Sequence, residues 1–300
     1  MTISAVNSAD TLGQRIRKVS ATLATGERAV VEYLQHHPDE AVISSAAKLG
    51  EVTGTSDATV IRTARKLGFE GLSDLKPSLV EYLSRRRDPA QVLDVRVQRL
   101  RAEERGTLRP VIQAGCNLLN DVPELINPDT WARAISMLDR TRHVWAYGIG
   151  PGAAVADLFA LSLQRIGRPA DAWSATGFRL ADEVLRLTED AVVVVIAPLR
   201  VFRETGIVLD HARSVGAKSI MLTEAVAEAR DTSADIVLPL PDSTEGAANE
   251  ILAPLMILHA LVLELVSAKR TSAIKHYHEL NALRSAIAGT ELDVSHLPEM

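Results

Sequence analysis

The sequence lacks the features that mark disulfide-bonded, zinc-binding and membrane-spanning proteins. Its 300 residues include one cysteine, Cys116, so no internal disulfide can form, which fits a reducing compartment. Cysteine and histidine do not occur at zinc-site spacing, and we expect neither a metal nor another cofactor. The longest charge-free apolar stretch near the C-terminus, residues 251–263, is too short for a membrane span of about 20 residues and predicts a buried helix. The N-terminal segment carries Asp10 and has no apolar stretch after its first charges, so we do not expect a secretory signal. We therefore predict a cytoplasmic protein.

Charge is divided unevenly along a chain of otherwise ordinary globular composition. Hydrophobic residues make up 47% and charged residues 24%, and the net charge of −5 argues against a protein that coats nucleic acid. Residues 1–87 contain 12 basic and 10 acidic residues, whereas residues 88–300 contain 21 and 28. A mildly basic first part on an acidic remainder indicates a DNA-facing N-terminal domain.

The periodicity of apolar residues changes along the chain. From residue 25 to about 83 every periodic segment favours helix, and residues 92–140 also favour helices. Three arginines before an Asp-Pro pair, at residues 85–89, mark a domain boundary. This run is either a solvated linker or a segment that contacts the DNA backbone. Beyond residue 143, short apolar runs alternate with helical patterns, which predicts a doubly wound parallel sheet with helices on both faces. The predicted strands are residues 144–147, 191–197, 219–222 and 235–240.

Residues 48–67 have the pattern of a helix-turn-helix. Gly50 lies in the first helix, where a small residue lets a second helix approach closely. Gly54 fits the turn, where a positive φ favours glycine, and Ser56 is a good N-cap for the second helix. The sequence therefore predicts an all-α helix-turn-helix domain at 1–87, a helical connector at 88–140, the α/β domain at 141–270, and a C-terminal helix and tail at 271–300.

The second helix of this motif is amphipathic. Val60, Ala64 and Leu67 share the side that we expect to pack on the core. The opposite side gathers Ala58, Thr59, Arg62, Arg65 and Lys66, with Thr63 flanking. A recognition helix presents such a surface to the major groove, where arginine can read guanine. The alternative is an ordinary helix with a solvated basic face.

Residues 25–83 resemble the N-terminal domain of the RpiR family of bacterial transcription regulators. The stretch TSDATVIRTARKLGFEGLSDLK at residues 55–76 is similar to that family's recognition helix and its following turn, although the family usually has an apolar residue in place of Thr55. The resemblance implies that five residues lie at or near DNA, namely Ser56, Thr59, Arg62, Thr63 and Lys66. Arg65, on the outward side of the helix, joins them as a candidate.

Three glycines follow the first predicted strand and open a helix. Gly148, Gly150 and Gly152 could let the backbone approach an anionic ligand, or could make a tight turn without one. The order of elements from residue 143 to 266 resembles the SIS domain, a phosphosugar-binding α/β fold that RpiR regulators carry behind the helix-turn-helix. The resemblance implies an effector-binding domain.

The sequence departs from the SIS pattern where the ligand should lie. The family's S-x-S-G-x-T loop binds phosphate, but residues 197–202 here read Ala-Pro-Leu-Arg-Val-Phe, and Gly152 replaces the usual serine of the first loop. Arg200 and Arg203 restore positive charge, and we predict that they hold an anionic effector; the alternative is that they pair with acids such as Glu204. A carboxylate with an apolar body fits this loop better than a phosphorylated sugar. Ser243 and Glu245, which follow the last predicted strand, complete the effector-binding candidates.

Catalytic groups are not evident. An SIS isomerase needs an acid or base, usually a glutamate, near the sugar carbonyl. Glu250 and His259 are nine residues apart and would face opposite sides of a helix, and His259 lies in an apolar run that predicts a core histidine. We therefore expect no enzyme activity and no catalytic residue.

Together these features predict a ligand-responsive transcription regulator of the RpiR type. Its expected partners are double-stranded operator DNA, a small anionic effector and further copies of itself, as a dimer or tetramer, but no membrane. One alternative is a sugar-phosphate isomerase with an appended helical domain. Another is a dimeric repressor whose sensor pocket has lost its ligand.

Overall fold

The chain folds into two compact units. The structure is a computed structural model that describes residues 12–87, 89–101, 106–226, 229, 232–243 and 247–290. The first unit runs to Leu118 and includes Asp242–Asn249. The second unit comprises Leu119–Pro241 and the chain from Glu250 onward.

The first unit is helical. Its helices are α1 (Leu12–Val19), α2 (Thr25–His36), α3 (Pro38–Ile43), α4 (Ala46–Val52), α5 (Asp57–Lys66), α6 (Leu72–Arg87), α7 (Pro89–Arg101) and the first part of α8 (Leu108–Leu125). Apolar side chains from α1 to α6 form one core, which contains Val30, Leu34, Leu49, Val60 and Leu79. The helical interpretation of this part of the sequence is confirmed. The arginines at 85–87 end α6, and Pro89 begins α7.

Helices α4 and α5 form the predicted helix-turn-helix. The hydroxyl of Ser45 accepts a hydrogen bond from the Lys48 amide at the start of α4, and the hydroxyl of Ser56 accepts one from the Thr59 amide at the start of α5. Gly54 lies in the turn with a φ of 63°. A methyl group on Gly50 would lie 3.0 Å from backbone atoms at the entry to α5. The two helices therefore meet closely at Gly50, as the sequence predicted.

The second unit is an α/β domain. After the end of α8 it contains α9 (Pro128–Arg140), β1 (His143–Gly148), α10 (Pro151–Arg165), β2 (Ala170–Trp173), α11 (Phe178–Val184), β3 (Ala191–Ile196), α12 (Arg203–Ser214), β4 (Lys218–Thr223), β5 (Ile236–Pro239), α13 (Leu252–Ala268) and α14 (Arg270–Ala288). The strands form one parallel sheet in the order β2-β1-β3-β4-β5. The predicted fold class is confirmed.

Strand β2 is the one described strand that the sequence did not predict. It has four residues and pairs with β1 at the edge of the sheet, with Val144 opposite Ala170 and Tyr147 opposite Trp173. Its second residue, Asp171, is exposed. A strand this short, with a charged residue and no β-branched run, has no periodic signal that distinguishes it from a loop.

Helices cover both faces of the sheet. Trp145, Tyr147 and Trp173 belong to a buried cluster with Leu180 of α11 and Val208 of α12. Helix α10 packs against β1, β2 and β3 but contributes no residue to that cluster, so it covers the other face. The carboxyl ends of the strands thus open between helices, where ligands of parallel sheets usually bind.

Hydrogen bonds and ion pairs of Arg168 connect the edge of the sheet to neighbouring helices. Its guanidinium donates to the carbonyl of Leu138 at 2.8 Å and to the carboxylate of Asp139. Lys269, after α13, reaches the same carboxylate at 2.9 Å. The hydrogen bond from Lys269 and the pairing with Arg168 hold the pKa of Asp139 below its usual value. This charge cluster joins α9, the start of β2 and the end of α13.

The apolar helix α13 is only partly buried. Ile257, Leu261 and Leu265 are buried, whereas Met256 and Leu263 are exposed. No single helix in the described parts of the chain is long and apolar enough to cross a bilayer. Helices α13 and α14 pass that test only together, and they are bent by 108° at their junction.

The close approach at Gly50 generates a test of the helix-turn-helix. We expect Gly50→Ala to lower the free energy of unfolding by about 1–3 kcal/mol, because the new methyl group meets backbone that cannot rotate away. Denaturant unfolding followed by circular dichroism measures this. Gly71→Ala is the matched control, since its methyl group would enter open space. Equal stability of the two variants would contradict the packing described here.

Candidate functional site

The exposed side of α5 carries the candidate DNA-binding residues. Val60, Ala64 and Leu67 are buried in the core of the first unit, as predicted. The remaining side, which we name the basic face of α5, exposes Ser56, Ala58, Arg62 and Arg65, with Thr59 partly exposed. The hydroxyl of Thr59 contacts that of Ser56 at 3.0 Å and accepts a hydrogen bond from Arg62 at 3.1 Å. These contacts hold the Arg62 guanidinium near the start of the helix.

The prediction that Thr63 lies on this surface is wrong. Its side chain is fully buried, and its hydroxyl donates to the Thr59 carbonyl at 2.8 Å. Thr63 follows Val60 by three positions, about 60° around the helix, and so falls within the core-facing stripe. The hydroxyl is satisfied inside its own helix and is not available to DNA.

Lys66 is also placed differently from the prediction. Its ammonium lies 2.6 Å from a carboxylate oxygen of Glu27 on α2 and donates to the Thr22 carbonyl. The Lys66 and Glu27 side chains are 30% and 16% exposed. The hydrogen bond from Lys66, together with one from the Ala24 amide, holds the pKa of Glu27 below its usual value. Lys66 thus ties α5 to α2 and does not belong to the basic face.

Arg15 fixes the other end of α5. This buried residue of α1 donates from one guanidinium nitrogen to the carbonyls of Leu67 and Gly68, at 3.2 and 2.9 Å. Its guanidinium carbon lies 4.3 Å from the centroid of the Phe69 ring. A cation at a helix C-terminus satisfies free carbonyls and the negative end of the helix dipole. Sequence reasoning missed Arg15, because nothing local to α1 reveals a partner 52 residues away.

The glycine turn after β1 is packed against the sheet. Gly150 has a φ of 58°. A side-chain carbon on Gly152 would lie 2.8 Å from the carbonyl oxygen of Ile196, at the end of β3. The start of α10 therefore lies directly on β3, and a serine at position 152 would not fit without a shift. The glycines make a close backbone contact here, which favours the tight-turn alternative.

Arg200 and Arg203 follow β3 but have different surroundings. The guanidinium carbon of Arg200 lies 5.4 Å from the centroid of the Phe202 ring. Arg203 is exposed in the first turn of α12. Among the described residues, no acid, including Glu204, lies within ion-pair distance of either arginine. The alternative that they are neutralised by salt bridges is therefore not supported.

A groove between α11 and α12 is lined by one of these arginines. Its volume is about 570 Å³, and we name it the α11–α12 groove. The apolar walls come from Phe178, Leu180, Val184, Leu185 and Ile207. The polar lining residues are Arg203, Glu204 and His211. Arg200 and the three glycines do not belong to the lining of this groove. The sequence offered no signal for this groove, which depends on the packing of two helices.

A polar cluster lies near the first turn of α12. Tyr147, at the end of β1, is buried, and burial raises the pKa of its hydroxyl; the negative charges of Glu204 and Glu183 raise the pKa further. Within the parts of the chain that the structure describes, no hydrogen-bond partner is found for Oε2 of Glu183 or Nε1 of Trp173. Glu183 also lies 3.6 Å from the guanidinium of Arg179, and Arg203 directly precedes Glu204, so each glutamate of this region has an arginine next to it in space or in sequence.

The remaining candidates lie elsewhere. Ser243 is buried in the first unit, where its carbonyl accepts a hydrogen bond from Arg96 of α7 at 3.3 Å. Arg200 and Arg203 belong to the second unit. Glu245 lies outside the described residues. His259 is exposed on α13, so its prediction as a core histidine is wrong; it faces outward beside Met256 on the exposed side of that helix.

The contact between Lys66 and Glu27 generates a pH-dependent prediction. We expect Lys66→Gln to lower the free energy of unfolding by about 0.5–1 kcal/mol at neutral pH. Glu27 has a lowered pKa in the folded protein. The pair therefore stabilises the folded state at pH values above the unfolded pKa of about 4.3, and this stabilisation is lost as the pH falls through the folded pKa. Denaturant unfolding at several pH values measures it. Lys48→Gln, in the exposed pair with Glu51, is the control with little effect; an effect of Lys66→Gln that does not change with pH would contradict the assignment.

Comparison with family models agrees with this architecture. A helix-turn-helix domain of the rpiR family matches residues 11–86, and a SIS domain matches residues 137–264. An uncharacterized HTH-type transcriptional regulator of Bacillus subtilis, YbbH, is 26% identical over 84% of this chain and 89% of its own length. The YfhH regulator of Escherichia coli is 27% identical over 70% and 74%.

Solved structures share the fold. The NanR protein of Vibrio vulnificus, in a complex with ManNAc-6P, is 20% identical, with a TM-score of 0.54, over 92% of this chain and 99% of that one. The sugar isomerase domain of an RpiR transcription factor from Sphaerobacter thermophilus is 22% identical, with a TM-score of 0.53, over 57% of this chain and 96% of that one. The two matched domains, in this order and with these relatives, show that the chain belongs to the RpiR family of transcriptional regulators, with a helix-turn-helix domain followed by a SIS domain.

Proposed function

We propose that the protein binds double-stranded operator DNA through the basic face of α5 and adjusts that binding to a small anionic effector. The observation that carries the proposal is that Arg62 and Arg65 are exposed, with Thr59 partly exposed beside them, opposite a buried core side. A second helix with this arrangement fits the major groove, and its arginines can donate to guanine. We propose that this activity takes place in the cytoplasm. We also keep the domain limits that the sequence predicted.

The effector would bind to the SIS domain. NanR, which shares the fold, was solved with ManNAc-6P, and this supports a sugar-derived anion as one candidate. The absence of the serine-rich phosphate loop from residues 197–202 favours an anion held by arginine. Ligand binding would then shift the equilibrium between arrangements that fit the operator and arrangements that do not.

Arg62→Ala tests the DNA-binding surface. Loss of a bidentate base contact costs roughly 1–3 kcal/mol, so we expect binding to a selected operator to weaken by about 5- to 150-fold. Fluorescence anisotropy at fixed salt measures it. Arg213→Ala removes the same charge from an exposed position on α12 and should leave affinity unchanged. A folded Arg62→Ala protein that binds as well as wild type would rule out this surface.

We further propose that the SIS domain forms the contact between copies. Helices α10 and α13 expose Leu158, Leu161, Met256 and Leu263. Two cavities that share Met256, of about 290 and 460 Å³, continue this surface, and none of the described residues that line them is an Asp, Glu, Lys or Arg. A helix-turn-helix protein that reads symmetric half-sites needs two copies, and an uncharged apolar surface fits a second copy of itself.

Leu263→Glu tests this contact. The new charge would be buried against apolar side chains, so we expect the dissociation constant of the oligomer to rise about tenfold or more. Sedimentation over a concentration series measures it. Leu185→Glu changes a more exposed leucine, in the α11–α12 groove, and should keep the wild-type mass. A monomeric wild-type protein, or no change in Leu263→Glu, would contradict the assignment.

We also propose that the protein is not a sugar-phosphate isomerase. The hydroxyls that would hold a phosphate are missing from residues 197–202, and Gly152 leaves no room for a serine. Aldose–ketose interconversion of common sugar phosphates should stay at background in a coupled assay with purified protein. Turnover that Glu245→Gln abolishes would support the isomerase instead.

A further inference from the structure

The α11–α12 groove has exposed apolar walls. Phe178 is 98% exposed, Leu185 is 73% exposed and Ile207 is half-exposed. With a volume of about 570 Å³, the groove lies within the range of about 300–1,000 Å³ typical of small-molecule sites. Such walls match an apolar body and offer few partners to the hydroxyls of a sugar ring.

Two opposite charges stand side by side at this groove. Arg203 and Glu204 are consecutive residues in the first turn of α12, and both line the groove. The Arg203 guanidinium has no acid within ion-pair distance among the described residues, and its fork matches a carboxylate. Glu204 lines the groove directly after Arg203, so its carboxylate can accept a hydrogen bond from a ligand and disfavours a second negative charge beside it.

We propose that the α11–α12 groove binds a carboxylic acid with an apolar body and a hydrogen-bond donor, an amine or a hydroxyl, on the carbon next to the carboxylate. Arg203 receives the carboxylate, Glu204 accepts from the donor, and Phe178, Leu185 and Ile207 cover the apolar body. The inference rests on the proposed function, since it names the class of effector that the SIS domain senses. Phosphate is disfavoured because its second charge lies beside Glu204.

A matched set of compounds tests this chemistry on the full-length protein. L-Phenylalanine and phenyllactate carry both groups, 3-phenylpropanoate lacks the donor, phenethylamine lacks the carboxylate, and glucose 6-phosphate is the phosphorylated alternative. Titration calorimetry should show saturable binding of L-phenylalanine or phenyllactate, and binding of 3-phenylpropanoate that is about tenfold weaker. Glu204→Gln should weaken the binding of L-phenylalanine more than the binding of phenyllactate. The two losses of affinity show which donor the groove prefers.

Two variants of α12 locate the binding. Arg203→Gln should weaken binding about tenfold or more, whereas Arg213→Gln, exposed on the same helix and outside the groove, should bind like wild type. Failure of both compounds to bind, binding that Arg203→Gln leaves unchanged, or preference for glucose 6-phosphate would each overturn the proposal. Operator binding is measured on the same preparations. If operator binding is intact while the acids do not bind, only the assignment of the groove is wrong. If the wild-type protein binds no DNA, the proposed function itself is wrong.

Discussion

The burial of one side of α5 is the constraint on which the first unit depends. Val60, Ala64 and Leu67 pack into the shared core, and this fixes the rotation of the helix about its own axis. Arg15 holds the C-terminal end through two carbonyls, and Lys66 ties the helix to α2. A helix held in this way presents the same exposed side chains in every molecule, which a DNA-reading surface requires.

Sequence reasoning recovered what local patterns encode and missed what tertiary contacts decide. Strand β3 has a local signal in its run of β-branched residues, and the N-cap of α5 has one in a serine that precedes an acidic residue. Both elements are as expected. By helical position alone Lys66 points outward, yet its long side chain reaches Glu27, 39 residues earlier in the chain. Thr63 lies at the edge of the apolar stripe, where the helical period does not tell how far the core extends.

The same distinction applies to the SIS domain. The loss of hydroxyls at residues 197–202 can be read directly from the sequence, and the glycine turn follows from its spacing. What the turn does depends on the distance between α10 and β3, and the α11–α12 groove depends on how two helices pack beside each other on the sheet. Arg203 was a candidate from sequence, but its neighbours Phe178 and Ile207 were not, since they come from segments without any recognisable motif.

The central claim is that a dimeric helix-turn-helix regulator reads specific DNA. Its most direct measurement is selection of bound fragments from a genomic or random double-stranded pool with the purified full-length protein, followed by sequencing. We predict enrichment of one sequence with two-fold symmetry, whose half-sites lie about 34–36 Å apart or a multiple of that distance. Fragments that show no sequence enrichment over the input pool would contradict the claim.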